Sequence, residues 1–200
     1  MQSKFLTSVF TIAALGFAAS AIVPATAATM SSTMSMGKPG MTKMVGGAPM
    51  YPTKNIVENA VNSKDHTTLV AAVKAAGLVD TLESKGPFTV FAPTNEAFAA
   101  LPKGTVDTLL KPENKGKLTT ILTDHVVAGH YDVADLAGKA KAMGGSFSLK
   151  TVGGAPLTFT DKGGHLYVTD QSGGTARITI ADVEQSNGVI QVVNKVLLPK

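Results

Sequence analysis

The residues best suited to chemistry gather near the middle of this 200-residue chain, where Asp124-His125 is followed by His130-Tyr131-Asp132. Imidazole and carboxylate are metal ligands as well as proton donors and acceptors. One reading is a metal cluster of Asp124, His125, His130 and Asp132; the other is a set of hydrogen-bonded or exposed residues where a strand begins. Their spacing follows no established ligand pattern. His66 and His165 have no evident partner in the sequence.

A second candidate set is soft. Met30, Met34, Met36, Met41, Met44 and Met50 crowd one stretch, and thioether sulfur suits Cu(I). A copper site built from Met30, Met34, Met36, Met41 and Met44 is the alternative to a linker whose methionines bind nothing.

Other chemistries lack their residues. The chain has no cysteine, which removes disulfides, thiolate metal sites and thiol catalysis. It has no Gly-x-Ser-x-Gly elbow, no His-Glu-x-x-His helix and no phosphate-cradling Gly-x-x-x-x-Gly-Lys loop. No enzyme and no cofactor are expected. The formal charge is +4, yet Arg177 is the single arginine and the lysines are dispersed, so nucleic acid is set aside as a partner.

The positions of these residues depend on the elements around them. Met1 to Lys4 is a short positive start, Phe5 to Val23 is largely apolar, and Ala25-Thr26-Ala27 offers small residues for cleavage. Residues 1–28 therefore read as a secretory signal peptide, which sets the expected location as secreted or periplasmic. Residues 29–50 are rich in Ser, Thr, Gly, Pro and Met and are expected to form a flexible leader.

From Lys54 the apolar spacing turns helical: Ile56, Val57, Ala60 and Val61, then Leu69, Val70, Val73 and Ala76, with Gly77 as a stop. Phe88 to Phe91 is β-prone, and Thr94 or Asn95 can cap the helix that carries Phe98 and Leu101. Further helical signals cover Thr105 to Leu110 and Asn114 to Thr123. Five short β-prone runs follow Phe147, separated by Gly153-Gly154, Gly163-Gly164, Gly173-Gly174 and Asn187-Gly188. Such pairs supply the positive backbone angles of tight hairpins. Helices followed by an antiparallel meander predict an α+β fold.

Two stretches carry a family likeness. Thr89-Val90-Phe91-Ala92-Pro93-Thr94-Asn95-Glu96-Ala97-Phe98, with Leu101-Pro102, resembles the first signature of fasciclin domains. Asn187-Gly188-Val189-Ile190-Gln191-Val192-Val193-Asn194-Lys195-Val196-Leu197-Leu198-Pro199 resembles the second. Asp124-His125-Val126-Val127-Ala128-Gly129 stands where the family usually has a Tyr-His motif, with Asp124 in place of Tyr. Gln191 and Asn194 stand where His and Asp are common.

The resemblance covers residues 51–200 and implies a secreted bacterial single-domain type: a β-wedge or sandwich of antiparallel strands packed with short helices. It also implies adhesion or binding at the cell surface or in the extracellular matrix, by noncovalent recognition of an extracellular or envelope protein or polysaccharide. Thr94, Asn95, Phe98, Asn187 and Gly188 are then structural signature residues. Asp124, His125, Val126 and Val127 are candidates for a partner-binding edge, and a monomer is expected. The local motifs of integrin recognition are not intact here, so that activity is not carried over.

Overall fold

A computed structural model describes residues 42–200. It opens with a short hairpin, β1 (Lys43–Val45) and β2 (Ala48–Met50), followed by α1 (Ile56–Ala60), α2 (Thr67–Ala76) and α3 (Val79–Glu83). Next come β3 (Phe88–Pro93), α4 (Asn95–Ala99), α5 (Thr105–Leu109), α6 (Lys115–Thr123), β4 (Val126–Ala128) and α7 (Val133–Ala142). The chain ends in the meander β5 (Ser146–Lys150), β6 (Pro156–Lys162), β7 (His165–Thr169), β8 (Thr175–Gln185) and β9 (Gly188–Val193).

Seven strands form one sheet in the order β4-β3-β9-β8-β7-β6-β5. The meander is antiparallel, as the glycine pairs predict; Gly163 and Gly164, both at positive φ, make the two-residue turn between Lys162 and His165. The expectation of antiparallel strands throughout fails at one pair. β3 and β9, the strands of the two signatures, run parallel from Phe88 opposite Gly188 to Pro93 opposite Val193. The sheet is therefore mixed. These two central strands are buried on both faces, which explains their continuous apolar runs.

Two apolar clusters lie against this sheet. Val90 and Ala92 face one with Ile190 and Val192, beneath the hairpin and α1 to α6. Phe91 faces the other, with Phe147, Phe159, Leu157 and Val168 beneath α7. The rings of Phe91 and Phe147 lie 5.4 and 5.3 Å from that of Phe159.

The hairpin corrects one expectation directly. Val45, Ala48 and Met50 fall inside residues 29–50, read from composition as a flexible leader, yet they are buried in the first cluster. Turn-rich composition hid a β-hairpin whose alternate residues face inward. Residues 29–41 of that stretch, and the whole of residues 1–28, lie outside the described residues.

Candidate functional site

Thr94 and Asn95 divide the capping between them. Thr94 Oγ1 accepts the Ala97 N–H at 3.3 Å and caps α4. Asn95 reaches across to the start of α2: its Oδ1 accepts the Thr68 N–H at 3.0 Å and its Nδ2 donates to the Lys64 carbonyl at 2.7 Å. Phe98 is buried in the first cluster. Asn187 is a three-way tie: its Oδ1 accepts the Ile56 N–H at 3.1 Å, and its Nδ2 donates to the Leu82 and Ser84 carbonyls.

The Asn187-Gly188 turn is displaced by one residue from its expected place. Ser186 and Asn187 form the turn, while Gly188 is the first residue of β9 and pairs with Phe88. A Cβ at Gly188 would collide with the Phe88 carbonyl, so the glycine answers to strand contact rather than to turn geometry.

The segment expected as a partner-binding edge is interior. Asp124, His125, Val126 and Val127 are all buried, at 2–6% exposure. His125 Nδ1 donates to the Ile121 carbonyl at 2.8 Å, and Nε2 accepts the Leu197 N–H at 3.0 Å. Burial pushes this imidazole below its ordinary pKa; the Ile121 backbone and the Asp124 and Asp170 carboxylates oppose the shift. Asp124 Oδ1 accepts the Thr151 hydroxyl at 3.0 Å. The rim of β4 is closed as well, because Val152 N–H donates to the Val126 carbonyl and Gly153 N–H to the Thr123 carbonyl. The physical reason is that β4 borders the sheet but the chain after β5 folds over it.

The expected grouping of four metal ligands separates. Asp124 and His125 point into the core, whereas His130 and Asp132 meet a residue that the sequence reading missed, Glu184 of β8. His130 Nε2 lies 3.0 Å from Asp132 Oδ1 and 3.6 Å from Glu184 Oε1. Burial raises the Glu184 carboxyl above its usual range, with His130 opposing. One nitrogen and two oxygens are ligand types for Zn²⁺ or Mn²⁺, and the same contacts also form a polar cluster held by the His130–Asp132 hydrogen bond. No local signal ties Glu184 to His130, since 54 positions separate them.

Of the methionines in the copper reading, Met44 alone falls among the described residues. It is 60% exposed on β1. Met30, Met34, Met36 and Met41 lie outside them.

A polar concavity sits beside His130. It holds about 500 Å³ and is lined by Asn55, Glu58, Glu83, Lys85, Ser186 and Asn187, among others. Three elements meet there: the capped start of α1, the loop after α3 and the β8–β9 turn.

Comparison with known proteins now decides the family. The fasciclin domain family matches residues 64–199. The chain belongs to the fasciclin family. Protein sll1483 of Synechocystis is 47% identical over 156 residues, covering 78% of this chain and 79% of that protein. Immunogenic protein MPB70 of Mycobacterium bovis is 35% identical over 204 residues, covering 94% and 96%. The solved FAS1 domain pair of the insect cell adhesion molecule fasciclin I superposes with a TM-score of 0.65 at 19% identity, over 72% of this chain and 51% of that one. Its likeness shows the fold: an α+β fasciclin domain, with the mixed sheet described above. Among the described residues, no helix is long and apolar enough to cross a membrane.

Proposed function

We propose that this fasciclin domain is an exported, monomeric adhesion module that recognises an extracellular or envelope protein or polysaccharide by noncovalent contact, after removal of residues 1–28. The reading needs no cofactor and no catalytic step. Its support is family membership, together with the position of fasciclin I as a cell adhesion molecule. The observation that carries the location is the polar cleft of about 500 Å³, open to solvent and framed by the Asn187 hydrogen bonds. Binding residues on loops held by a rigid scaffold are the usual arrangement for recognition.

The test is retention of native envelope protein and polysaccharide by the immobilised full chain and by a Lys85→Glu, Ser186→Tyr double variant. Both side chains are exposed, so the fold is expected to persist. Selective retention by the parent and a tenfold or greater loss in the variant, at unchanged thermal midpoint, supports the reading. Equal retention by both moves recognition away from this cleft, and no retained partner removes the adhesion reading.

The exposure of Met44 keeps the copper alternative testable. Replacing Met30, Met34, Met36, Met41 and Met44 by Leu in the full chain leaves the hairpin's inward residues intact. Cu(I) affinity equal to that of the parent would exclude this segment as a copper site.

A further inference from the structure

A second concavity differs from the cleft in every physical respect. It is a cavity of about 60 Å³ between the β1–β2 hairpin, α1, α2 and α3 on one side and β3 and β9 on the other. Its wall is almost wholly apolar, with Met50, Ile56, Leu69, Val73, Leu82 and Ile190 among its residues. Protein interiors rarely leave voids larger than one water, and a single water requires only about 10–15 Å³. This void is several times that size.

Two histidines reach the wall. His125 has both ring nitrogens occupied, as described above. His66 does not: Nδ1 lies 2.9 Å from Ser63 Oγ, but Nε2 makes no hydrogen bond, the single buried side-chain polar atom among the described residues of which that is true. His66 is 3% exposed. Burial holds its pKa below the ordinary value; the Ala92 backbone, near enough to favour the charged ring without meeting hydrogen-bond geometry at Nε2, and Asp65 oppose the shift.

The wall thus combines a volume that bulk water fills poorly with one unpaired polar atom. A buried water wants two to four polar partners, which this wall does not supply. An apolar body with one polar end satisfies both features. The polar end is further defined by the tautomer. If Ser63 donates to Nδ1, Nε2 carries the proton; if Nδ1 donates to Ser63, Nε2 presents a lone pair. A hydroxyl matches either state, because it donates and accepts. A cavity of about 150 Å³ lined by Leu, Ile and Phe takes benzene or xenon, so this smaller one suits a body of a few heavy atoms.

We propose that this chamber is a binding site for a short aliphatic alcohol, its carbon chain among Leu69, Val73 and Leu82 and its hydroxyl on His66 Nε2. The site is separate from the polar cleft and does not depend on the adhesion reading.

The test uses the full chain labelled for NMR, titrated with 1-propanol and, separately, equilibrated with xenon. Saturable 1-propanol shifts are expected in the Leu69, Val73 and Leu82 methyl groups and in the His66 Nε2 resonance, with xenon moving the methyl groups only. A Val73→Phe variant, which fills the chamber, is expected to lose both responses while the signals of Phe147 and Phe159, in the other apolar cluster, stay in place. Should that variant fail to fold, the parent's imidazole signal decides alone. Xenon binding without a 1-propanol response at His66 overturns the proposal, since the chamber would then be a packing void. Absence of binding by either probe overturns it equally.

Discussion

His125 Nε2 accepts the Leu197 N–H at 3.0 Å while Nδ1 of the same ring donates to the Ile121 carbonyl at 2.8 Å, joining the last turn of α6 to a residue 72 positions beyond the histidine. Both nitrogens are committed and the ring is buried. Replacing it with Ala leaves a buried donor, a buried acceptor and a cavity. Each unpaired group costs about 1–3 kcal/mol, and loss of a ring of this size adds a packing term. His125→Ala is expected to destabilise the domain by about 4 kcal/mol, read as a lower urea midpoint at unchanged slope. An unchanged midpoint combined with lost partner capture would return the segment to a surface role.

The two buried histidines make stability depend on pH in a defined direction. His66 and His125 both have folded pKa values below the ordinary 6.5, so the unfolded chain binds protons that the folded chain refuses. Stability is then full above about pH 6.5 and falls as pH drops below it, by up to about 1.4 kcal/mol per unit for each ring. Glu184 acts with the opposite sign, since its raised folded pKa favours the protonated folded form, but it is only half-buried. Urea midpoints measured from pH 7.5 to 5.0 should decline below 6.5. A flat profile across that range would contradict the neutral, buried assignment of both rings.

Local signals explain what was legible. The period of Leu69, Val73 and Ala76, the stop at Gly77 and the glycine pairs each act within a few residues, and the corresponding helix and hairpins are present. α7 was not foreseen, because Val133 to Ala142 is mostly Ala, Lys, Asp and Gly with Leu136 as its one large apolar anchor; burial of Leu136 and Ala140 on the meander makes it a helix with an inner face. The parallel β3–β9 pairing joins residues about 100 positions apart, and nothing in either strand alone encodes direction. The burial of Asp124 was hidden for a similar reason: its partner Thr151 and the cover from Val152 and Gly153 come from beyond β5.

Gly188 offers a sharp test of the parallel pair. Its missing Cβ leaves room for the Phe88 carbonyl, and β3 cannot retreat because Phe91 and Val90 are packed on opposite faces. Gly188→Ala is expected to destabilise by about 2–3 kcal/mol, within the range for overpacking a well-filled core. The matched change Gly163→Ala meets no neighbouring atom and is strained only by its positive φ, so it should cost about 1 kcal/mol. Thermal melts of the two variants should differ accordingly; equal losses would argue that backbone angle, not contact with Phe88, decides the glycine.

The hairpin sets where the folding unit begins. Val45, Ala48 and Met50 are buried against Ile56 and the α2 side chains, and Lys43 Nζ donates to the Ala181 carbonyl on the bulged part of β8. A chain starting at Tyr51 removes these groups and uncovers the apolar faces beneath them, including the wall of the small chamber. Full burial of one Val or Met side chain contributes about 1.5–3 kcal/mol, so the loss should reach about 3–5 kcal/mol. Denaturation of chains starting at Thr42 and at Tyr51 measures it: a lower midpoint for the shorter chain is expected, with hydrogen exchange accelerated first in α1 and α2. Equal midpoints would mean that the hairpin rests on a core already complete without it.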